Sequence, residues 1–479
     1  MKSRKLKKLF LIATLIALTG AALAYSSKIS AVISQGPAGV PAAPPISGNS
    51  GIISATGHLI QDKVLLGSDG LFNLDLTLQA DRIPERDEVQ TRNVDLVIVL
   101  DRSGSMKGSK IDDARQAVLQ LLDNLGEMDR LALVTYSDDV KIAAELLNVS
   151  AANRRRLAAA VNSVRVGGGT NLGAGLQAGI EILASAAHSV NAAKVILISD
   201  GLANKGVTDI SALGSMAAMA VEKEFAVSTV GVGAEFNEYL MTAIADQGTG
   251  RYYYLENPGA FAEVFQQEFH DTRAAIVDQL KVQVPTRNGI TLVDAAGYPL
   301  SRRHGYATFY PGSLRSGQIR QLYLTLRVPT GSERNFVLGN IKITYRYDHR
   351  TIETTLDEPL MIACVKDRGE VFSSIDKTGW SEKVISEDFN RLKQEVAADL
   401  KSGDKRQAMD RIHKYRDEQE AANVVIGSQR IAENLDNDLK DLKTYVEETF
   451  QGAPEAVRQK QKANAKALQY EGYRSRRQQ

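Results

Sequence analysis

Side chains that could bind a metal ion follow a run of aliphatic residues near position 100. The segment Val94–Met106 reads VDLVIVLDRSGSM, so Asp101, Ser103 and Ser105 come at alternate positions directly after the aliphatic run. Nearly every position of that run is aliphatic, which is typical of a strand covered on both faces. Carboxylate and hydroxyl oxygens are hard donors, and Gly104 lets the loop bend back over the strand. The segment therefore predicts a divalent-cation site at the carboxyl end of a buried strand.

Two later loops carry oxygen ligands of the same kind. Thr170 follows three glycines in GGGTN, and Asp200 ends a second aliphatic run in KVILISDG. The carboxyl ends of the strands in an open parallel sheet line the crevice where ligands bind. We therefore expect the three loops to surround one metal ion. Taken singly, each residue could have a purely structural role, because Asp101 could cap a helix and Asp200 could start an Asx-turn.

Together, DRSGS at 101–105, the Thr170 loop and ISDG resemble the metal-ion-dependent adhesion site of von Willebrand factor type A domains. The resemblance extends from about Asn93 to Asp278. It implies that the hydroxyls of Ser103, Ser105 and Thr170 bind the cation directly. The carboxylates of Asp101 and Asp200 would bind it largely through water, and the sixth coordination position would be open. The chain is similar to exported bacterial proteins with this domain and, more loosely, its DRSGSM loop resembles that of inter-alpha-trypsin inhibitor heavy chains.

The ligand types indicate which cations and partners would suit such a site. Mg²⁺ accepts about six oxygens in a near-octahedral array and keeps water readily, so a carboxylate from a partner can replace one water. Mn²⁺ and Ca²⁺ accept the same ligands, and the sequence does not separate the three ions. Neutral hydroxyls leave the ion electrophilic, because few fixed negative charges satisfy it. An acidic side chain of a protein partner would therefore gain most from binding.

Strands and helices alternate regularly between residues 93 and 278, which we predict to form one domain. The apolar spacing predicts helices at 110–125, 156–164, 172–187 and 261–277, strands at 131–136, 195–199, 226–232 and 252–255, and an antiparallel edge strand at 140–146. Strands that alternate with helices form a parallel sheet with right-handed crossovers. The sequence therefore predicts a doubly wound, Rossmann-like α/β domain.

The segments on either side of this domain are predicted to be β-structure. Residues 51–92 contain alternating polar and apolar side chains and a turn at 67–70, which predicts a hairpin with one apolar face. Residues 279–366 contain short strands separated by Pro, Gly and Asn, as in an all-β sandwich. Because an isolated hairpin is marginally stable in water, we expect the α/β domain to be inserted between strands of one β domain.

Residues 367–479 predict an α-helical C-terminal region with a basic tail. Apolar residues recur at three- and four-residue steps, as in Phe389, Leu392, Val396 and Leu400, which is typical of the seam between packed helices. From Gln459 onward the chain is rich in lysine and arginine and poor in apolar residues. We expect a solvated tail, with contact to anionic lipid or to an acidic partner as the alternative.

The N-terminal residues 1–24 predict a signal peptide or a membrane anchor. A basic segment precedes an apolar run at 9–24, which is shorter than the roughly 20 residues that span a bilayer. Residues 25–50 read as a linker rich in Pro, Gly and Ala. We therefore expect an exported protein, periplasmic, at the cell surface or secreted, with membrane association through an uncleaved N-terminal helix as the alternative. Cys364 is the only cysteine, which excludes a disulfide within the chain.

Two aspartate pairs and a run of tyrosines allow two interpretations each. Asp112 and Asp113 are predicted to stabilise the first turn of a helix. Residues 138–139, both aspartate, are predicted to form an edge turn, with a position at the rim of the metal site as the alternative. For the three tyrosines at 252–254, strand alternation predicts that Tyr253 is buried and its neighbours are exposed, or the reverse.

Composition and missing motifs exclude several functions. The 58 lysines and arginines balance 57 aspartates and glutamates, which gives no case for nucleic-acid binding. The segment Gly173–Ala178 fits a loose dinucleotide fingerprint, but no strand precedes it, so close helix packing is the favoured interpretation. Neither GK[ST], GxSxG nor HExxH occurs in the sequence. No base or nucleophile is predicted near the metal, so we expect a protein that is not an enzyme.

The sequence thus predicts an exported cell-envelope protein that captures an acidic residue of a protein partner through a bound cation, in adhesion or complex assembly. The alternative is a non-catalytic accessory subunit or scaffold of an envelope enzyme or transport assembly.

Overall fold

The computed structural model describes residues 46–83, 92–186, 191–348, 350–356 and 358–477. The predicted leader at 1–24 and most of the predicted linker lie outside these residues. Within the described ranges, no helix combines the length and the apolar character needed to cross a membrane.

The chain begins with four strands of a β domain: β1 (Ile46–Ser50), β2 (Ile53–Leu59), β3 (Lys63–Leu65) and β4 (Leu71–Ala80). Strand β1 pairs antiparallel with β2, so residues 46–50 belong to the sheet rather than to the linker. The hairpin predicted within residues 51–92 has a different strand pairing from the one expected. Strand β4 pairs with β2, whereas β3 leaves to pair in parallel with a strand at 360–365. The turn at 67–70 therefore joins strands of two different sheets.

An α/β domain follows, and its sheet has six strands: β5 (Val94–Asp101), β6 (Arg130–Tyr136), β7 (Val140–Asn148), β8 (Ala192–Ser199), β9 (Ala226–Val232) and β10 (Thr249–Leu255). Their order is β10-β9-β8-β5-β6-β7, and only the edge strand β7 is antiparallel to its neighbour. All eight residues of β5 are buried, as expected for a central strand covered on both faces.

Six helices cover the two faces of this sheet: α1 (Ser109–Asn124), α2 (Ala151–Ser163), α3 (Leu172–Ser185), α4 (Ile210–Glu222), α5 (Glu238–Gln247) and α6 (Phe261–Ala274). Helices α1, α2 and α6 contribute to the apolar core on one face, and α3, α4 and α5 to the core on the other. The doubly wound α/β prediction is confirmed. The sequence analysis missed α4 and α5, and it extended α6 by three residues that instead begin the next strand.

The remaining strands complete the β domain: β11 (Ala275–Pro285), β12 (Thr291–Ala295), β13 (Ser301–Arg303), β14 (Tyr306–Arg315), β15 (Ile319–Arg327), β16 (Arg334–Leu338), β17 (Ile341–Tyr347), β18 (Arg350–Leu356) and β19 (Leu360–Val365). They form sheets β1-β2-β4-β15-β12, β13-β14-β11-β17-β18 and β16-β19-β3. Strand β4, which precedes the α/β domain, pairs along its length with β15, which follows it. The α/β domain is thus inserted into one β domain with a shared core.

The C-terminal region is helical, as predicted: α7 (Arg368–Ser373), α8 (Lys377–Lys383), α9 (Phe389–Ser402), α10 (Lys405–Ile426), α11 (Gln429–Glu433), α12 (Leu439–Thr449) and α13 (Pro454–Arg477). Single π-helical turns lie at Val384–Asp388 and Asn434–Asp438. The predicted seam residues of α9 are buried with apolar residues of α10 and α12.

The prediction of a solvated basic tail is wrong. Residues 454–477 form helix α13, in which Lys466, Arg476 and Arg477 are buried. Each of these cations reaches a carboxylate from an earlier part of the chain, which explains why burial is tolerated. Lys466 Nζ lies 2.6 Å from Glu238 Oε2, and Arg477 forms an ion pair with Asp246. Arg476 forms ion pairs with both Asp294 and Glu387.

Helix α13 also explains the tyrosine run on β10. Tyr252, Tyr253 and Tyr254 are all buried, so neither predicted alternation holds. Tyr252 meets Tyr470 and Tyr473 of α13 edge-on, with ring centroids 5.6 Å and 5.5 Å away. Helix α13 therefore covers one face of the edge strand β10, which would otherwise be exposed to water.

We expect Arg477→Ala to lower the free energy of unfolding by about 3–5 kcal/mol, because it leaves the buried Asp246 carboxylate without its cation. Urea denaturation followed by circular dichroism measures this change. The control is Arg474→Ala on the same helix, since Arg474 is exposed and lies over the Tyr470 ring at 5.9 Å. The control should lose about 1 kcal/mol or less. Equal losses in the two variants would contradict a buried ion pair at Arg477.

Candidate metal centre

Asp101 lies at the carboxyl end of the central strand β5 and is fully buried. Its Oδ1 accepts a hydrogen bond from the backbone N of Ser103 at 2.8 Å, and its Oδ2 accepts one from Ser199 Oγ at 3.0 Å. Burial raises the pKa of Asp101 to about 6, and the nearby charge of Asp200 acts in the same direction, although the hydrogen bonds from Ser103 oppose the shift. In the described part of the chain, no lysine, arginine or histidine forms an ion pair with this carboxylate.

The two serines of the loop stand next to this carboxylate. Ser103 is buried and Ser105 is exposed, and their Oγ atoms are 3.0 Å apart. A short 3₁₀ turn at Gly104–Met106 turns Ser105 back toward the strand ends. Ser105 Oγ donates to Asp200 Oδ1 at 2.7 Å, although the two residues are 95 positions apart in the chain. The first and third predicted loops are therefore in direct contact.

Thr170 is brought to the same place by backbone hydrogen bonds between loops. The N of Gly104 donates to the carbonyl of Gly168 at 3.1 Å. A Cβ atom built on Gly201 would lie 3.4 Å from Ser105 Oγ and 3.6 Å from Thr170 Oγ1, so both hydroxyls border one point. All five residues predicted to bind the metal thus lie around one crevice at the carboxyl edge of the sheet.

One position of the GGGTN loop requires glycine because of its backbone conformation and its close neighbour. Gly168 has a φ of +84°, and a Cβ atom there would lie 2.5 Å from Asp138 Oδ2. Asp138 Oδ1 in turn accepts from the N of Gly169 at 2.8 Å and forms an ion pair with Lys205. Lys205 lowers the pKa of Asp138, as does the hydrogen bond from Gly169. Asp138 therefore lies at the rim of the site, where it holds the Thr170 loop.

Two of the other aspartates near the site lie in ion pairs. Asp139 pairs with Arg102 at 2.6 Å, and Asp112, in the first turn of α1, pairs with Arg115. These contacts agree with the predicted roles of Asp139 and Asp112. The prediction for Asp113 is wrong, because the helix begins at Ser109 and Asp113 lies beyond its first turn.

Sequence reasoning missed Lys110, which changes the charge of the site. Asp200 is fully buried, and Lys110 Nζ lies 2.5 Å from its Oδ2. Ser105 donates to the other carboxylate oxygen, Oδ1. The lysine stands in the first turn of α1, so its spacing from the DRSGS loop was a signal that could have been used. Ser199 was missed as well, although a hydroxyl inside an aliphatic strand run indicates a buried hydrogen bond.

The donor set fits a divalent cation. Three hydroxyls and two carboxylates supply oxygen atoms only, which suits Mg²⁺, Mn²⁺ or Ca²⁺. Across the described residues, no group of three His, Cys, Asp or Glu side chains could hold a metal ion, so a cation here would depend on the hydroxyls. The cation would also bring a positive charge next to the buried Asp101 carboxylate.

Comparison with known proteins identifies the class of this domain. Residues 95–267 match the sequence model of the von Willebrand factor type A domain. The chain therefore contains a von Willebrand factor type A domain, and the Rossmann-like fold predicted for it is confirmed.

Similar proteins come from bacteria and mammals. The chain is 32% identical to the uncharacterized protein YfbK of Escherichia coli over 40% of its length and 33% of that protein. It is 26% identical to protein sll0103 of Synechocystis, over 66% of this chain and 76% of the relative. An inter-alpha-trypsin inhibitor heavy chain of Mus musculus is 26% identical over 67% of this chain and 35% of its own length. The alignments thus span about a third of YfbK and of the heavy chain.

Two solved structures share most of the fold. A von Willebrand factor type A protein from Catenulispora acidiphila has a TM-score of 0.64 and 16% identity, and the match covers 90% of this chain and 99% of that one. The ArnB paralog VWA2 from Sulfolobus acidocaldarius has a TM-score of 0.55 and 17% identity, with 87% and 98% covered. At these coverages the shared fold includes regions beyond the α/β domain.

We expect Lys110→Met to tighten Mg²⁺ binding several-fold, because it removes a positive charge beside Asp200 that would repel the cation. Titration calorimetry at low ionic strength measures this affinity. The control is Lys107→Met, since Lys107 is exposed just before helix α1, three residues ahead of Lys110. That change should have little effect. Weaker binding in Lys110→Met than in the control would show that the lysine is needed to orient Asp200.

Proposed function

We propose that the von Willebrand factor type A domain binds a divalent cation through Ser103, Ser105, Thr170, Asp101 and Asp200, and that the cation captures an acidic side chain of a protein partner. Such a domain indicates protein–protein interaction or adhesion. The observation that carries the proposal is the meeting of three hydroxyls and two buried carboxylates at one strand edge. The proposal does not include catalysis.

The exposure of the site favours a ligand from outside the chain. Asp101 and Asp200 are fully buried, whereas Ser105 is exposed, so a cation held between them would face solvent on one side. The loop after Asp200 adds apolar side chains beside the site, with Leu202 58% and Val207 40% exposed. Exposed apolar residues next to a charged centre are typical of protein interaction surfaces. The partner would then present a carboxylate flanked by apolar side chains.

The surrounding charges also favour an acidic partner. Lys107, which directly follows the DRSGSM loop, is exposed, whereas Lys205 in the loop after Asp200 is paired with Asp138. Lys107 would attract a negatively charged surface and raise its association rate. In a cell envelope, to which the N-terminal sequence would direct the protein, this arrangement would serve adhesion or complex assembly. Mg²⁺ is the cation that we propose first, with Mn²⁺ and Ca²⁺ as substitutes of the same ligand preference.

We expect Asp101→Ala to weaken Mg²⁺ binding by about 10–100-fold or more, the range for loss of a group that orients metal ligands. Titration calorimetry measures the affinity. Circular dichroism should show an unchanged fold, because the change removes a buried charge and little apolar area. Asp112→Ala is the control, since Asp112 is exposed at the start of α1. Unchanged affinity in Asp101→Ala would remove the basis of the metal assignment.

The proposed capture of a partner is tested by passing envelope proteins over the immobilised chain, with Mg²⁺ or with chelator. We expect partners to be retained only with the cation, and to be lost with Asp101→Ala. Retention that is insensitive to both chelator and Asp101→Ala would instead support the alternative function, an accessory subunit or scaffold of an envelope assembly.

A further inference from the structure

The end of the β domain that lies farthest from the α/β domain carries a cluster of exposed basic side chains. Strand β11 starts at the junction with the α/β domain and runs to Pro285, a length of about 33 Å at roughly 3.3 Å per residue. Pro285 pairs with Tyr306, the first residue of β14, so the turns next to these two residues lie side by side. The exposed basic residues on these turns and on strands β13 and β16 form the basic end of the molecule: Arg287, Arg302, Arg303, His304 and Arg334.

Contacts between neighbouring turns bring these residues together. The turn at 303–306 touches Arg287, since a Cβ atom built on Gly305 would lie 3.5 Å from Arg287 Nε. Arg334 Nη2 donates to the carbonyl of Asn288, the residue after Arg287, at 3.0 Å. Four arginines that are far apart in the sequence therefore surround two adjoining turns.

No carboxylate in the described part of the chain forms an ion pair with these arginines. Asp294 and Glu333, which lie near them in the sequence, are each paired with another cation. Asp69 and Glu358 also lie at this end of the β domain, but on other turns. Basic groups that are close together without counter-charges create a positive potential that attracts anions. The basic end therefore has the charge of a surface that binds a polyanion.

Two exposed apolar side chains lie beside the basic end. Val337 of β16 is 43% exposed, and Met361, directly opposite it on β19, is 49% exposed. A Cβ atom built on Gly339 would lie 3.5 Å from Pro285, so β16 crosses the same end of the domain. Basic and apolar side chains together favour a membrane surface, because cations meet the lipid phosphates and apolar groups enter the boundary with the acyl chains. A soluble polyanion would use only the charges.

The direction of the first strand places the N-terminal part of the chain on the same side. Ser50, the last residue of β1, pairs with Ile53, and Ile53 pairs with Ala80, from which the chain continues to the α/β domain. Strand β1 therefore runs toward the α/β domain, and the chain enters it from the side of the basic end. An apolar run at 9–24 that was retained as an anchor would bring this end to the membrane.

We propose that the basic end binds the surface of a membrane that contains anionic phospholipids. The arginines contact the lipid phosphates, and Val337 and Met361 enter the interface between water and lipid. The metal site then faces away from the membrane, because it lies at the edge of the α/β sheet opposite the β domain. This interaction needs no metal ion, so it is independent of the proposed cation site.

The test is cosedimentation with lipid vesicles, with chelator present. The chain from residue 25 to residue 479 is used, because every described strand and helix begins after residue 45 and the apolar run at 9–24 would itself enter lipid. We expect binding to vesicles of phosphatidylcholine with an equal part of phosphatidylglycerol, and none to phosphatidylcholine alone. Added salt should weaken the binding. Absent binding, equal binding to both kinds of vesicle, or preference for soluble dextran sulfate over the anionic vesicles would overturn the proposal.

Variants separate the basic end from the net charge of the chain. Each arginine at an anionic surface contributes roughly a factor of five to the affinity, so Arg287→Gln together with Arg303→Gln should weaken binding about 25-fold. Lysine at the same two positions should preserve most of the binding. The control is Arg155→Gln together with Arg156→Gln, since both arginines are exposed on helix α2 of the α/β domain. Equal loss in the control, or full binding by the Arg287 and Arg303 variant, would overturn the assignment.

Discussion

The burial of a carboxylate at the end of the central strand is the constraint on which the site depends. Strand β5 lies between β8 and β6, so its last residue, Asp101, is covered on all sides. The neighbouring strand β8 ends next to it, which places Asp200 at the same edge of the sheet. Two buried carboxylates side by side must be satisfied by donors, and the serine hydroxyls, the loop amides and Lys110 are those donors. The positions of the three loops follow from this need.

A second buried set of charges holds the three parts of the chain together. Helix α13 carries Lys466, Arg476 and Arg477 into contact with carboxylates of the α/β domain, of the β domain and of the π-helical turn before α9. Such ion pairs add little net stability over apolar packing. They do fix the position of helix α13, because a helix shifted along its axis would leave several charges buried without a partner. Tyr473, whose hydroxyl donates to Asp246 at 2.8 Å, adds apolar area to the same contact. The helix therefore fixes where the domains sit.

The sequence predicted what depends on local pattern and failed where distant partners decide. Strand β5 and the Asp101, Thr170 and Asp200 loops were predictable, because an aliphatic run that ends in oxygen ligands is typical of a strand leading into a ligand-binding loop. Helix α4 was missed because its ISALGSMAAMAVE sequence contains small residues throughout, which blur the 3.6-residue period. The burial of Arg477 was not predictable, since its carboxylate at 246 is 231 positions away. Composition alone makes any basic segment look solvated.

The way in which the α/β domain is inserted decides which of its edges can meet a partner. The chain enters at the start of β5 and leaves at the end of α6, and both points lie at the amino edge of the sheet. Arg92 bridges them, since its Nη1 lies 2.5 Å from Asp278 Oδ2. The β domain must therefore attach at this edge. Strand β8 separates Lys194 from Asp200 by about 20 Å, at roughly 3.3 Å per residue. The opposite edge, with the five residues proposed to bind the metal, is consequently left uncovered by the β domain, and the proposed partner would have access to it.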